Sequence, residues 1–593
     1  MRNVMIESLI EGYVKGMQTV RQVIAEQRQR AIEISDHNAW IHILSEAELE
    51  PFLTRLEHSD PSSLPLFGIP FAIKDNIDLA GVPTTAGCKE FEYVPNKSAY
   101  VVQRLIDAGA VPIGKTNLDQ FATGLVGVRS PFGEGKNVFN TEYISGGSSS
   151  GSAIATALGV VSFALGTDTA GSGRVPAALN NIVGLKPSKG LLSTEGVVPA
   201  CKTLDCVSIF ALTTEDASRV FDVAASHNVQ DDYSQPNIWQ NQSIFLNQES
   251  RVFKFGVPDS LEFFHSTECE NLFNQTVSAL EKLGGKRVVI NFQPFREAAT
   301  LLYQGPWVAE RQWATRNVNR QHMLPVIAEI VDSATDITAV DTFDSFYKLA
   351  KLKSEANAQL NEVDFILTPT TPTVFTREEI RNDPIRLNSV LGTYTNFMNL
   401  LDYSATSIPV GFLSSGVSWG VTLFSYRNED IKVLGFAGLL HQTMSKFAGK
   451  TSFELPEDSV KNTTFIAETT DIVVCGAHLS DMPLNWQLKF RGGQLKERTK
   501  TQSCYRLYAL PDGNRPALVQ DIDGAAIDVE IWTLPTEAFG SFVAGIPAPL
   551  GIGKTILKDG RIVPGYICEA NQLAGATEIT VFGGWKNWKK QAG

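Results

Sequence analysis

The spacing of hydrophobic positions changes several times along the chain, and each change predicts an element. Ile6, Leu9, Ile10, Val14 and Met17 recur at the three-and-four spacing of an amphipathic helix, and residues 1–60 read as helical throughout. From "LFGIPFAIKDNIDLAGVPTTAG" onward, short apolar runs alternate with turn residues and helical stretches, the pattern of an α/β domain. "AYVVQRLIDAGAVPIGKTN" predicts a helix, an Ala-Gly turn and a short strand at 111–113. The polar stretch 226–250 predicts a surface loop, residues 262–360 a helical region, and "DFILTPTTPT" a buried strand that leaves through prolines. Past "ELPEDSVKNTT" the texture changes: "TDIVVCGAHL", "CYRLYALPDG", "VEIWTLP" and "EITVFGG" predict strands separated by turns, with little helix. The expected organisation is an α/β domain over 1–453, a linker over 454–466 and a smaller strand-rich domain over 467–593.

Composition narrows the function classes. With 593 residues, 43% hydrophobic and 19% charged, the chain has material for more than one core. A net charge of -13 argues against a nucleic-acid or anionic-membrane surface, though not against a local basic pocket for a small anion. The seven cysteines form no C-x-x-C pair and read as reduced thiols of a cytoplasmic protein; the eight histidines form no ligand cluster, so neither a metal nor a cofactor is expected. The N-terminus carries Glu7 and Glu11 and lacks an apolar core, so it does not read as a signal peptide. The longest uncharged run, between Glu142 and Asp168, is steadily apolar only from Ala153; it is shorter than the roughly 20 residues of a membrane span and predicts a buried helix.

Four stretches carry candidate chemistry. "GAVPIGKT", residues 109–116, spells a phosphate loop, but a helix precedes it and a strand runs inside it, the reverse of the order that aims N–H groups at phosphate. "GSSSG" spells a hydrolase elbow, which needs a later acid and histidine; His227, His265, His322, His441 and His478 lie mostly in polar or helical contexts and read as surface or packing residues rather than as that partner. In "ALGTDTAGSGRVPAA" an apolar strand ends at Asp168, and Gly171 and Gly173 flank Ser172. That is either a Gly-rich turn with a capping serine or a set of N–H groups aimed at one point, as an oxyanion hole requires. In "GIPFAIKDNID" a strand delivers Lys74, which is a solvated flank unless burial makes it a neutral base.

Taken together and in this order, the Lys74 strand, "GGSSSGSA" and "GTDTAGSGRVPAA" resemble the amidase signature family over residues of about 60 to 450. The resemblance implies an α/β fold with a central mixed β-sheet flanked by helices, and a Ser–cis-Ser–Lys triad. By motif, Ser172 is its nucleophile, Ser148 the bridging serine on a cis peptide bond and Lys74 the terminal base. The N–H groups of Thr169, Ala170 and Gly171 then hold the oxyanion. In this scheme Ser149 and Ser150 open the buried helix.

Ala170 and Gly173 depart from the commonest spelling of that family, and "DTAGSGRVPAA" with "DQFATGLVGVRSPFG" looks like its allophanate hydrolase branch. "LLYQGPWVAERQW" is similar to a segment in which the residues matching Tyr303 and Arg311 bind a substrate carboxylate, and the branch also places Gly124 at the substrate. Without the resemblance, Arg311 reads as a solvated helix residue. The tail resembles the C-terminal domain of that branch, a strand-rich α+β domain like the γ-glutamyl cyclotransferase fold, with His478 of "GAHL" implicated in a decarboxylation or else a buried structural histidine. The implied activity is hydrolysis of allophanate (urea-1-carboxylate) to ammonia and CO2, by a homodimer linked to a separate biotin-dependent urea carboxylase. The alternatives are an amidase or an amidotransferase component working on another small amide, and a nucleotide-binding or assembly protein using "GAVPIGKT".

Overall fold

In the computed structural model, the apolar runs of the first 455 residues gather into one mixed sheet of eleven strands. The structure describes residues 2–243, 246, 252–455, 469–489, 491–569 and 572–592. The strands are β1 (Trp40–Ile43), β2 (Pro70–Lys74), β3 (Val111–Thr116), β4 (Phe163–Asp168), β5 (Val183–Lys186), β6 (Cys206–Ala211), β7 (Phe253–Pro258), β8 (Gly285–Ile290), β9 (Phe365–Pro369), β10 (Ser404–Phe412) and β11 (Ser418–Ser425). Their order is β1-β3-β2-β4-β6-β5-β10-β11-β9-β7-β8. β3, β2 and β4 run parallel, and β6 lies antiparallel to β4. Every residue of β2, β3, β4 and β6 is buried, as in a sheet covered on both faces.

The uncharged run between Glu142 and Asp168 divides into the buried helix Ser150–Ala157 and β4. Ser149 sits at the N-cap position, where its hydroxyl donates to the Thr167 carbonyl at 3.2 Å, and Ser150 is the first helical residue. The N-terminal helix, Ile6–Val14, buries Ile6, Leu9 and Tyr13 but leaves Val14 exposed. It stops where Gly16 adopts φ +65°, so Met17 never joins the apolar face. The region expected to be helical from 262 to 360 also contains β8, an edge strand paired on one side with β7. The polar stretch from 226 is irregular up to residue 243, apart from the 3-10 turn Trp239–Asn241; most of 244–251 lies outside the described residues. The expected linker lies outside them too, apart from Glu454 and Leu455.

The chain forms two units, residues 1–237 with 241–459, and 238–240 with 460–593. The second unit contains β12 (Thr469–Val474), β13 (Gln494–Lys500), β14 (Tyr505–Ala509), β15 (Pro516–Gln520), β16 (Asp528–Pro535), β17 (Leu550–Ile556), β18 (Ile562–Cys568) and β19 (Thr577–Glu578). They form a five-stranded sheet, β13-β16-β12-β18-β17, and a three-stranded one, β15-β14-β19. The strand expected at "EITVFGG" shrinks to the two residues of β19, because a 3-10 turn, Thr580–Phe582, and a left-handed Gly583 end the pairing. No helix among the described residues is long and apolar enough to cross a membrane.

His441 is buried in the helix Asp430–Met444 with no hydrogen-bond partner for Nε2, and burial pushes its pKa down to about 4. Above the unfolded value of 6.5 the ring is neutral in both states. Between 6.5 and about 4 only the unfolded chain takes the proton, so stability falls as pH falls. We predict that His441→Leu flattens this decline by about 3 kcal/mol at the acid end, read from urea midpoints between about pH 7 and pH 4.5. Parallel pH slopes for variant and wild type would show that His441 does not contribute.

Candidate active site

Parallel pairing puts the C-terminal ends of β2 and β4 side by side, and the two strands end in Lys74 and Asp168. The Lys74 Nζ donates to the Ser148 hydroxyl and to the Thr167 hydroxyl, each at 2.7 Å. The amine is fully buried, and burial pushes its pKa down to about 7 against the pull of Asp119, Asp205 and Asp168. Such a lysine is half neutral near pH 7, the state a general base requires. Ser148 follows a cis peptide bond from Gly147. A Cβ on Gly147 would lie 2.2 Å from Asp119 Oδ2 and 2.4 Å from the Gly127 nitrogen, so only glycine fits there. Asp119 braces the same place from the other side: its N–H donates to the Ser148 carbonyl, and its carboxylate accepts the N–H groups of Val126, Gly127 and Arg129.

The turn after β4 corrects one expectation. The Gly171 and Gly173 N–H groups do converge, but on the Asp168 carboxylate, at 2.9 and 3.0 Å. The same carboxylate takes a two-pronged pair from Arg174, both bonds 2.9 Å long, with both side chains fully buried. Burial opposes the charge on Asp168, but Arg174 outweighs it and holds the carboxyl below its ordinary range. Gly171 is therefore committed to Asp168 rather than to an oxyanion, because a buried carboxylate must collect donors. The N–H groups of Thr169, Ala170 and Ser172 have no protein acceptor among the described residues. Gly171 itself has φ +139°, and a Cβ there would meet Thr395 Oγ1 at 2.5 Å.

The Ser172 hydroxyl donates to the Gly124 carbonyl at 3.3 Å. The structure thus brings Ser172 to Gly124 and Lys74 to Ser148, with no hydrogen bond between Ser148 and Ser172 among the described residues. One residue before Gly124, Thr123 accepts a bond of 2.9 Å from Arg311. Arg311 lies in the helix Trp307–Ala314 and stacks 5.4 Å from the ring centre of Tyr303, which belongs to the last turn of the preceding helix, Gln293–Gln304. It is 2% exposed, yet it has no carboxylate partner among the described residues, and its Nε–H is unpaired. Two site residues went unseen in the sequence: Thr167, which holds the Lys74 amine, and Asp205, whose carboxylate accepts the Thr169 hydroxyl. Thr167 is a polar residue inside an otherwise apolar strand, a signal that was available; Asp205 offers none. Lys115, the lysine of the apparent phosphate loop, is buried in β3 and paired with Asp75 at 2.9 Å, so it cannot reach a phosphate.

In the second unit, His478 is half-buried. Its Nε2 lies 3.0 Å from Gln487 Oε1, and its ring stacks on Tyr566 and meets the edge of Phe542. Arg491 packs over Phe542, and burial together with that cation lowers the histidine pKa.

Residues 23–434 match the family model described as amidase. The chain belongs to the amidase family. Residues 470–590 match the allophanate hydrolase C-terminal domain. The chain is 40% identical to the urea amidolyase of Saccharomyces cerevisiae over 571 residues, 93% of this chain but 31% of that protein, so it spans under a third of the length of the urea amidolyases it matches. Among solved structures it resembles the allophanate hydrolase of Kluyveromyces lactis, with 38% identity, a TM-score of 0.74 and 99% of each chain covered. It shares its fold with the peptide amidase of Stenotrophomonas maltophilia, at 23% identity and a TM-score of 0.64 over 75% of this chain and 98% of that one.

Removing one member of a buried ion pair strands the other without solvent. We predict that Arg174→Met destabilises the first unit by about 3 to 5 kcal/mol. Urea unfolding checks this, and a loss under about 1 kcal/mol would show that Asp168 does not depend on Arg174.

Proposed function

We propose that the chain hydrolyses allophanate to ammonia and CO2. The observation that carries this reading is Arg311: a guanidinium buried beside the proposed nucleophile, with a free donor and no carboxylate partner among the described residues. Burying a charge without a partner is unfavourable, and a planar carboxylate is the ligand that a guanidinium fork suits. The full-length likeness to the K. lactis allophanate hydrolase supports the same choice.

In the proposed mechanism, neutral Lys74 draws the proton from Ser148, and Ser148 draws one from Ser172 once its hydroxyl turns from the Gly124 carbonyl. Ser172 Oγ attacks the terminal amide carbonyl while Arg311 and Tyr303 hold the carboxylate at the other end. The Thr169 and Ala170 N–H groups face the oxyanion. The relay returns its proton to the leaving nitrogen, ammonia departs, and water releases the acyl group as a dicarboxylate on one nitrogen, which loses CO2. We assign assistance in that loss to His478, kept neutral by burial and by Arg491.

A biotin-dependent urea carboxylase is the proposed source of substrate, and the cytoplasm the proposed location, on the strength of seven free cysteines. We also propose a homodimer; the N-terminal helix has its apolar side buried in its own unit. The helix Ala339–Leu360 instead exposes Val340, Phe343 and Tyr347 on one face, with Asp341 and Asp344 toward one end and Lys348 and Lys351 toward the other. Two copies set antiparallel about a two-fold axis pair those charges. A solution mass near twice 64.8 kDa is expected, and a monomer at micromolar concentration would refute the pairing.

The deciding experiment is ammonia release from allophanate, malonamate and a neutral amide. Allophanate reacts best, and kcat/KM rises with pH through about 7 as Lys74 loses its proton. Ser172→Ala lowers kcat about 10⁴-fold or more. Arg311→Ala lowers kcat/KM for allophanate about 100-fold and leaves the neutral amide within about threefold. His478→Ala leaves the first equivalent of ammonia intact and slows CO2 release. Preference for neutral amides would point to the other amidase reading instead.

A further inference from the structure

Asp205 stands immediately before β6, and the register that pairs Asp168 with Cys206 sets it opposite Thr169, at the start of the nucleophile turn. Its Oδ1 accepts the Thr169 hydroxyl and the Cys201 N–H, the latter at 3.1 Å, and its Oδ2 accepts the Ala200 N–H at 2.8 Å. The loop it closes in this way, residues 200–205, is also fastened to the helix of Arg311. Cys201 Sγ donates to the Trp307 carbonyl at 3.4 Å, and the Thr203 N–H donates to Glu310 at 2.9 Å. One carboxylate therefore stands where two parts meet: the turn with the free Thr169 and Ala170 N–H groups, and the loop fastened to the helix bearing the unpaired guanidinium.

We propose that Asp205 is a positioning residue, which fixes the Thr169–Ala170 turn relative to the Arg311 helix and holds a negative charge that acts on both Arg311 and Lys74. This deepens the amidase reading of the site and rests on it. The charges facing Lys74 are Asp119, Asp205 and Asp168, which favour its protonated form, and Arg311, which opposes it. Asp119 and Asp168 are each held by several donors of their own, so a change at Asp205 acts on Lys74 separately from them.

The test compares wild type, Asp205→Asn and Thr169→Val in ammonia release across about pH 5.5 to 9, on allophanate, malonamate and a neutral amide. Burial pushes the Asp205 carboxyl up to about 6, so above that pH it is mainly ionised, and Asp205→Asn there removes a charge that favours protonated Lys74. The acid limb of kcat/KM therefore moves to lower pH by roughly half a unit or more, while kcat falls about 10- to 100-fold and KM stays within about threefold. Thr169→Val loses only the hydroxyl and keeps the carboxylate, so kcat falls by a similar factor and the acid limb moves less than in Asp205→Asn. An unmoved acid limb in Asp205→Asn, or an unchanged kcat in Thr169→Val, overturns the proposal. If Asp205→Asn fails to fold, the Thr169→Val result decides. A wild type inactive on allophanate counts against the substrate reading alone, and the comparison is then decided on the amide it does turn over.

Discussion

Everything at the proposed site depends on keeping the Lys74 amine dry. In water a lysine of pKa 10.5 is charged at neutral pH and is no base; burial brings it to about 7. The same neighbourhood holds carboxylates that would return the proton if any were left bare, and each is engaged. Asp168 is paired with Arg174, Asp119 accepts three backbone N–H groups, and Asp205 accepts a hydroxyl and two N–H groups. Asp75, next to Lys74 in sequence, is paired with Lys115. The covered sheet, the glycine-tight turns and these buried pairs serve one electrostatic requirement.

Two buried arginines show how pairing separates structure from function. Arg174 has its carboxylate within the chain, two bonds long and short in sequence distance, and it stiffens the turn that carries Ser172. Arg311 is equally buried but, among the described residues, is met only by a hydroxyl, a carbonyl and an aromatic face. Charge without a partner is unfavourable in the folded state, so the proposed substrate carboxylate completes the electrostatics that the chain leaves open.

Much of this was legible because the pattern lies in short stretches. The strand that delivers Lys74, the helix opened by Ser149 and Ser150, and the turn around Ser172 are each specified by a dozen residues or fewer. What escaped was set by register across the sheet. Glycine spacing announced that N–H groups converge, but their target, the Asp168 carboxylate, depends on a buried charge needing donors. Asp205 meets Thr169 only because β4 and β6 pair with Asp168 opposite Cys206, which no local pattern encodes. β8 was missed for a related reason: it is a strand with one partner and exposed charges at Lys286 and Arg287, so its alternation is weak.

The two units answer the same demand in different ways. Lys74 must lose a charge it would carry in water, and full burial does this against three opposing carboxylates. His478 starts from an ordinary value already near neutrality, so partial burial between Tyr566 and Phe542, with a cation nearby, is enough to keep it uncharged. His478 is thus left half-buried beside Arg491, whereas the Lys74 amine is fully buried. If each unit performs its proposed step, the enclosed one makes the covalent intermediate and the open one handles the charged product. Burial then tracks how far each proposed base must be moved from its value in water.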